Sequence, residues 1–96
     1  MFSEIKKPEE ARGSLVFIHG AGGEHSLWQN QMADLPPGFA GYALDLPGHG
    51  QSEGEPVNDI AVYAAAVAEF IQQEAVPRPV YLVGQSMGTA IALTVA

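Results

Sequence analysis

Ser86 sits between two glycines, in Gly84-Gln85-Ser86-Met87-Gly88, at the point where an apolar run gives way to a helix-compatible one. A serine hydroxyl is a weak nucleophile at neutral pH. An enzyme that uses one must expose it, aim it, and surround it with a base and with donors for the oxyanion that attack creates. A tight turn from strand to helix does the exposing and aiming. It also brings the flanking chain so close together that only residues without a Cβ fit two positions either side of the serine, which is where Gly84 and Gly88 stand. The side chains of Gln85 and Met87 can point away from the crowding. The Met87 N–H, at a helix N-terminus, is placed to donate to a developing negative charge. These residues spell out a nucleophile elbow.

The surrounding chain supplies the elements such a turn needs. Val80 to Val83 is continuously apolar, as expected of a parallel strand covered on both faces, and Ser86 to Ala96 is rich in Ala, Ile and Leu, as expected of a helix. Ser14-Leu15-Val16-Phe17-Ile18-His19 is an earlier buried strand, ending at Gly20-Ala21-Gly22-Gly23. The spacing of Leu27, Trp28, Met32 and Leu35 predicts a helix from Ser26 to about Asp34, closed by Pro36-Pro37-Gly38. Ala40 to Leu46 reads as a further strand, stopped by Pro47-Gly48-His49-Gly50. Asn58 is a candidate N-cap for a long helix from Asp59 to Ala75, with Ile60, Tyr63, Ala64, Val67, Phe70 and Ile71 forming its apolar stripe. Residues 1–13 read as a surface lead-in with a short strand at Phe2 to Ile5, and residues 14–96 as the body of one domain. Alternating strands and helices predict an α/β fold, three layers α/β/α around parallel strands, with chemistry at the strands' carboxyl ends.

Composition narrows the function classes. A chain of 96 residues, 47% apolar, makes at most one small domain, and such a unit buries only about 60% of its unfolded surface. There is no cysteine, so neither disulfides nor thiolate zinc sites are available. A formal net charge of −7 argues against nucleic acid as a partner. The N-terminus lacks the apolar core of a secretory signal, and no run approaches the roughly 18 apolar residues of a membrane span, so a cytoplasmic location with no membrane partner is the expectation.

Three segments together carry a resemblance. His19-Gly20-Ala21-Gly22-Gly23, Asp45-Leu46-Pro47-Gly48-His49-Gly50-Gln51-Ser52 and Gly84-Gln85-Ser86-Met87-Gly88, in this order and spacing, resemble the α/β-hydrolase superfamily over residues 14–96. The resemblance implies Ser86 as catalytic nucleophile and the amides of Ala21 and Met87 as the oxyanion hole. It also implies structural turns built on His19, Gly20, Gly22, Gly84 and Gly88, a small ester or thioester substrate, and no cofactor. The glycines at 20, 22 and 23 independently suit a loop that presents a backbone N–H to a charge beside Ser86.

One departure stands out: in this superfamily the acid and the histidine follow the serine, yet no Asp, Glu or His follows Ser86. The expectation is an incomplete, N-terminal portion of the fold, inactive alone, with the elbow strand left as an open sheet edge that pairs with a missing portion or self-associates. The alternative reading is a non-catalytic, hydrolase-like binding module.

The remaining polar residues have milder readings. His19, His25 and His49 all precede the nucleophile, and the resemblance places His19 and His49 in structural turns. No metal site is expected, because no carboxylate clusters with these histidines in the sequence. Asp45 resembles a triad acid in type, but its place at a strand end favours accepting backbone hydrogen bonds. Trp28 either borders a substrate pocket or is core, and its spacing favours core. The glycine loop at 20–23 lacks the lysine and the spacing of a nucleotide-binding loop.

Overall fold

The computed structural model describes residues 1–96. Four strands form one sheet: β1 (Ser3–Lys6), β2 (Gly13–Ile18), β3 (Phe39–Leu44) and β4 (Val80–Gly84), in the spatial order β1-β3-β2-β4. β2 pairs in parallel with β3 and with β4, while β1 runs antiparallel to β3. β2, β3 and β4 are parallel, as expected, and β1, whose direction the sequence left open, makes the sheet mixed. The cause is local: β1 enters directly from the N-terminus and needs no crossover helix.

Helices cover both faces. α2 (Ile60–Gln73) and α3 (Met87–Val95) pack on one, while a 3-10 turn (His25–Trp28) running into α1 (Gln29–Ala33) packs on the other. Strand residues sort by the two-residue period of a pleated sheet. Val16, Ile18, Ala40, Tyr42 and Leu44 join Tyr63, Val67, Phe70 and Ile91 in the larger core, whereas Phe17 and Ala43 join Trp28 and Met32 in the smaller one. The three-layer architecture stands, around a mixed sheet.

Several boundaries differ from the sequence expectations, each for a readable reason. Asp59, not Asn58, caps α2: its backbone is extended and its carboxylate accepts the Ala61 N–H at 2.9 Å. The expected helix at 26–34 is split, because Glu24 accepts the Ser26 N–H and winds His25–Trp28 into a tighter turn before α1 begins. Asp45 and Leu46 leave β3 and belong to the turn after it. β4 lies at the sheet edge, as expected of an incomplete fold, only partly buried and with Tyr81 52% exposed.

The end of α2 carries a further prediction. Val76 N–H bonds to Ile71 O and Ala75 N–H to Gln72 O, both at 3.2 Å, the paired closure of a Schellman motif. Its left-handed position, usually glycine, is occupied by Ala75 at φ 48. Ala75→Gly is expected to stabilise the chain by about 1 kcal/mol, raising Tm by roughly 4–8 °C in a thermal melt.

Candidate active site

The elbow is built by interlocked backbones. Ser86 sits at φ 55 and ψ −120, a conformation L-residues rarely adopt, between the end of β4 and the first turn of α3. Gln85 N–H bonds to Ile18 O at 3.2 Å, tying the turn to the end of β2, and Thr89 N–H returns to Ser86 O at 2.9 Å. A Cβ at Gly84 would strike the carbonyl of Gly88, and one at Gly88 would strike the carbonyl of Ile18. The two glycines are thus imposed by contact of main chain with main chain.

This geometry leaves Ser86 exposed, its hydroxyl without a hydrogen-bond partner in the chain. Gly20 lies against it: a Cβ at Gly20 would come within 3.1 Å of Ser86 Cβ and 3.6 Å of Ser86 Oγ. Ala21 and Met87 border a common cleft of about 470 Å³, walled also by Gly22, Gly48, His49 and Tyr63. The Ala21 N–H donates to no group of the chain, and the Met87 N–H, first in α3, has no intrahelical acceptor. An exposed serine hydroxyl and two undirected amides are therefore neighbours.

The histidines are engaged elsewhere. His19 is fully buried, with Nε2 accepting the Leu46 N–H at 3.1 Å and Nδ1 at 2.6 Å from Gly20 O. His49 lies against it with ring centres 5.0 Å apart and planes tilted by 47°, and places Nδ1 3.1 Å from Pro47 O. His25 lies with Nδ1 at 2.9 and 3.0 Å from the two oxygens of Asp45. None of the three bonds to Ser86. Trp28 is core, its ring 5.2 Å from that of Phe17.

The sequence reading missed the cluster around Asp45. Carboxylates do gather about a histidine: Asp45 and Glu24 both approach His25, with donor atoms within 4.8 Å of one another. Twenty residues separate Asp45 from His25, so no local spacing announces the pair. Asp45 is fully buried and accepts His25 N–H at 2.6 Å and Gln51 N–H at 2.8 Å, which joins the loop after β2 to the turn after β3. Its main chain takes part too, Asp45 O accepting from the Ser52 hydroxyl and Asp45 N–H donating to Phe2 O.

Burial would raise the Asp45 carboxyl, but the donors from Gln51 and His25 outweigh it and hold the group below its ordinary value. Burial pushes His19 below the ordinary imidazole value of 6.5. In both cases the unfolded chain binds the proton more readily, so stability rises with pH. The His19 contribution is expected to be present above about pH 6.5 and to fade as pH falls through its lowered folded value. The Asp45 contribution persists to about pH 4 and is lost below that. Urea midpoints at constant ionic strength should fall in two stages on acidification.

A model of the alpha/beta hydrolase fold matches residues 13–96. The chain belongs to the alpha/beta hydrolase family. Among relatives, mouse (Mus musculus) monoglyceride lipase is 35% identical over 103 residues, an alignment covering all of this chain and 34% of the relative. A lipase-esterase related protein from Clostridium acetobutylicum superposes with a TM-score of 0.86 at 30% identity, over 98% of this chain and 40% of its own. A marine microorganism esterase reaches the same TM-score at 26% identity, over 98% and 35% respectively. The chain spans about a third of the length of the curated relatives it matches. Within the alpha/beta hydrolase fold it supplies the serine turn and the glycine loop, and no acidic residue or histidine follows the serine.

Proposed function

We propose that these residues form the nucleophile and oxyanion half of a serine hydrolase acting on a small carboxylic ester or thioester. The observation that carries the reading is the elbow: an exposed serine in a strained backbone, beside two amides with no acceptor. Ser86 Oγ attacks the carbonyl carbon, its proton passing to a histidine outside residues 1–96, and the Ala21 and Met87 amides take the negative charge of the tetrahedral intermediate. Collapse expels the alcohol or thiol, and water releases the acyl group. No cofactor enters these steps.

The second reading, a non-catalytic binding module, is favoured by one observation: the Ser86 hydroxyl has no basic partner in the chain. Labelling separates the two. When residues 1–96 are fused to the remaining two thirds of a relative such as mouse monoglyceride lipase, a fluorophosphonate should modify Ser86. Absence of labelling in a folded fusion supports binding alone. The unfused chain should show negligible ester turnover, since the serine keeps its proton.

The open edge of β4 belongs to the same proposal. Its outward peptide groups have no strand partner, and Leu93 of α3 is 74% exposed. An unpaired parallel edge of this kind takes up another strand. In a complete domain that strand comes from the rest of the fold, and in residues 1–96 alone it comes from a second copy. Sedimentation of the isolated chain should therefore show dimers or larger species, and a monodisperse monomer would contradict the proposal.

A further inference from the structure

The cleft that Ala21 and Met87 border has a second wall whose polar atoms are only half used. Tyr63, in the first turn of α2, is fully buried, and its hydroxyl accepts the Val57 N–H at 2.8 Å. That bond ties the approach to α2 onto the helix itself. It leaves the phenolic proton idle, since a tyrosine hydroxyl carries a donor besides its acceptor sites and no group of the chain accepts from it. A buried donor without an acceptor is costly and calls for an explanation.

His49 supplies the complement. Its Nδ1 lies 3.1 Å from Pro47 O, and a carbonyl oxygen can only accept, so in the neutral ring Nδ1 bears the proton and Nε2 is an acceptor. Nothing in the chain donates to Nε2. The His49 and Tyr63 rings meet edge-on with centres 6.0 Å apart, and both wall the cleft. A hydroxyl oxygen with one partner on each side bridges atoms up to about 5.5 Å apart, the scale of that separation.

We propose that Tyr63 and His49 form a subsite for an uncharged hydroxyl group of the substrate, the Tyr63 O–H donating to its oxygen and His49 Nε2 accepting its proton. The proposal rests on the reading of Ala21 and Met87 as oxyanion donors, which puts the ester in the same cleft. Charge favours a hydroxyl over a carboxylate or phosphate. An ionised carboxylate has no proton to give His49, and no charged side chain walls the cleft to balance an anion. Lys6, Lys7, Arg12 and Arg78 all stand toward the amino ends of the parallel strands, at the other end of the sheet.

The fused domain tests the subsite with esters that differ only by the hydroxyl. Hydroxyethyl butyrate against ethyl butyrate places it on the alcohol side, and ethyl hydroxybutyrate against ethyl butyrate on the acyl side. Wild type should prefer the hydroxylated member of one pair by about tenfold in kcat/KM, carried by KM, as neutral hydrogen bonds made equally in ground and transition states would give. Tyr63→Phe removes the donor. His49→Asn removes the Nε2 acceptor and keeps a donor near Pro47 O. Each should bring the preference to within about twofold of none. A loss shared equally by both members of a pair, as a purely structural role would give, would overturn the proposal, and so would a wild type that discriminates neither pair.

Spectra of the 15N-labelled chain of residues 1–96 stand apart from catalysis and decide the matter if the variants do not fold. His49 should carry its proton on Nδ1, and its Nε2 resonance and the Val57 amide should move with one of the hydroxylated esters and stay still with ethyl butyrate. A proton on Nε2, or an equal response to all three esters, would overturn the subsite. A fusion that neither turns over ester nor takes up fluorophosphonate would sink the hydrolase reading, and the expected spectra alongside it would uphold the subsite as a binding site alone.

Discussion

Alanine at position 88 should unfold the elbow. The added Cβ would meet Ile18 O and Ile18 C, with His19 O at 2.8 Å, all of them main-chain atoms at the end of a central strand that cannot rotate aside. Relief requires α3 to lift off the sheet, and α3 contributes Ile91, fully buried, to the larger core. The expected cost exceeds about 4 kcal/mol, in the range reserved for severe steric damage, against a total stability of about 5–15 kcal/mol for a domain of ordinary size. Gly84→Ala should behave alike, since its Cβ would meet Gly88 O and, at 2.6 Å, Thr89 N. Gly22→Ala is the control. It also imposes an unfavourable positive φ, but into open space, so about 1–2 kcal/mol is expected. Urea unfolding followed by circular dichroism compares the three. A Gly88→Ala chain with the midpoint of Gly22→Ala would show that α3 does not approach β2 so closely, and the elbow geometry would fall with it.

What was legible in the sequence follows from the range over which each constraint acts. The elbow and the α2 stripe are local, so the steric demand for glycine at 84 and 88 and the helical spacing of Tyr63, Val67 and Phe70 show directly in residue type. The run Val80 to Val83 announced a strand whose apolar character demands cover, while the resemblance, with no acid or histidine after Ser86, led to the expectation of an open edge, and β4 is that edge. The short strand expected at Phe2 to Ile5 is β1, one residue further on, but its antiparallel place in the sheet was not legible because its strand partner, β3, lies more than thirty residues away. The Asp45–His25 pair was invisible for the same reason: it is a contact between two turns at the ends of different strands. Only Asp45's half of it, an acceptor fixing its own turn through Gln51 N–H, was within reach of local reasoning.

The sharpest separation of folding from function lies at Ser86 itself. In the fused domain, Ser86→Ala and Ser86→Gly should both abolish fluorophosphonate labelling and lower ester turnover by about a million-fold, the loss typical of removing a serine nucleophile. Their effects on stability should part company. The Ser86 side chain is exposed and makes no hydrogen bond, so truncation to alanine keeps the backbone strain and changes stability by no more than about 0.5 kcal/mol. Glycine adopts φ 55, ψ −120 without penalty and should recover roughly 1–3 kcal/mol. That difference is measurable in residues 1–96 alone, where no catalysis is needed to read it. Equal stability of the two variants would mean that the turn stores no strain, and Ser86 would lose its distinction from any serine at a helix start. A more stable Ser86→Gly would instead show a residue held in a costly conformation by the packing of Gly84 on Gly88 and the bond from Gln85 to Ile18, with no contribution from its own side chain. Folding alone gives no reason to keep a serine there, and the proposed acyl transfer would.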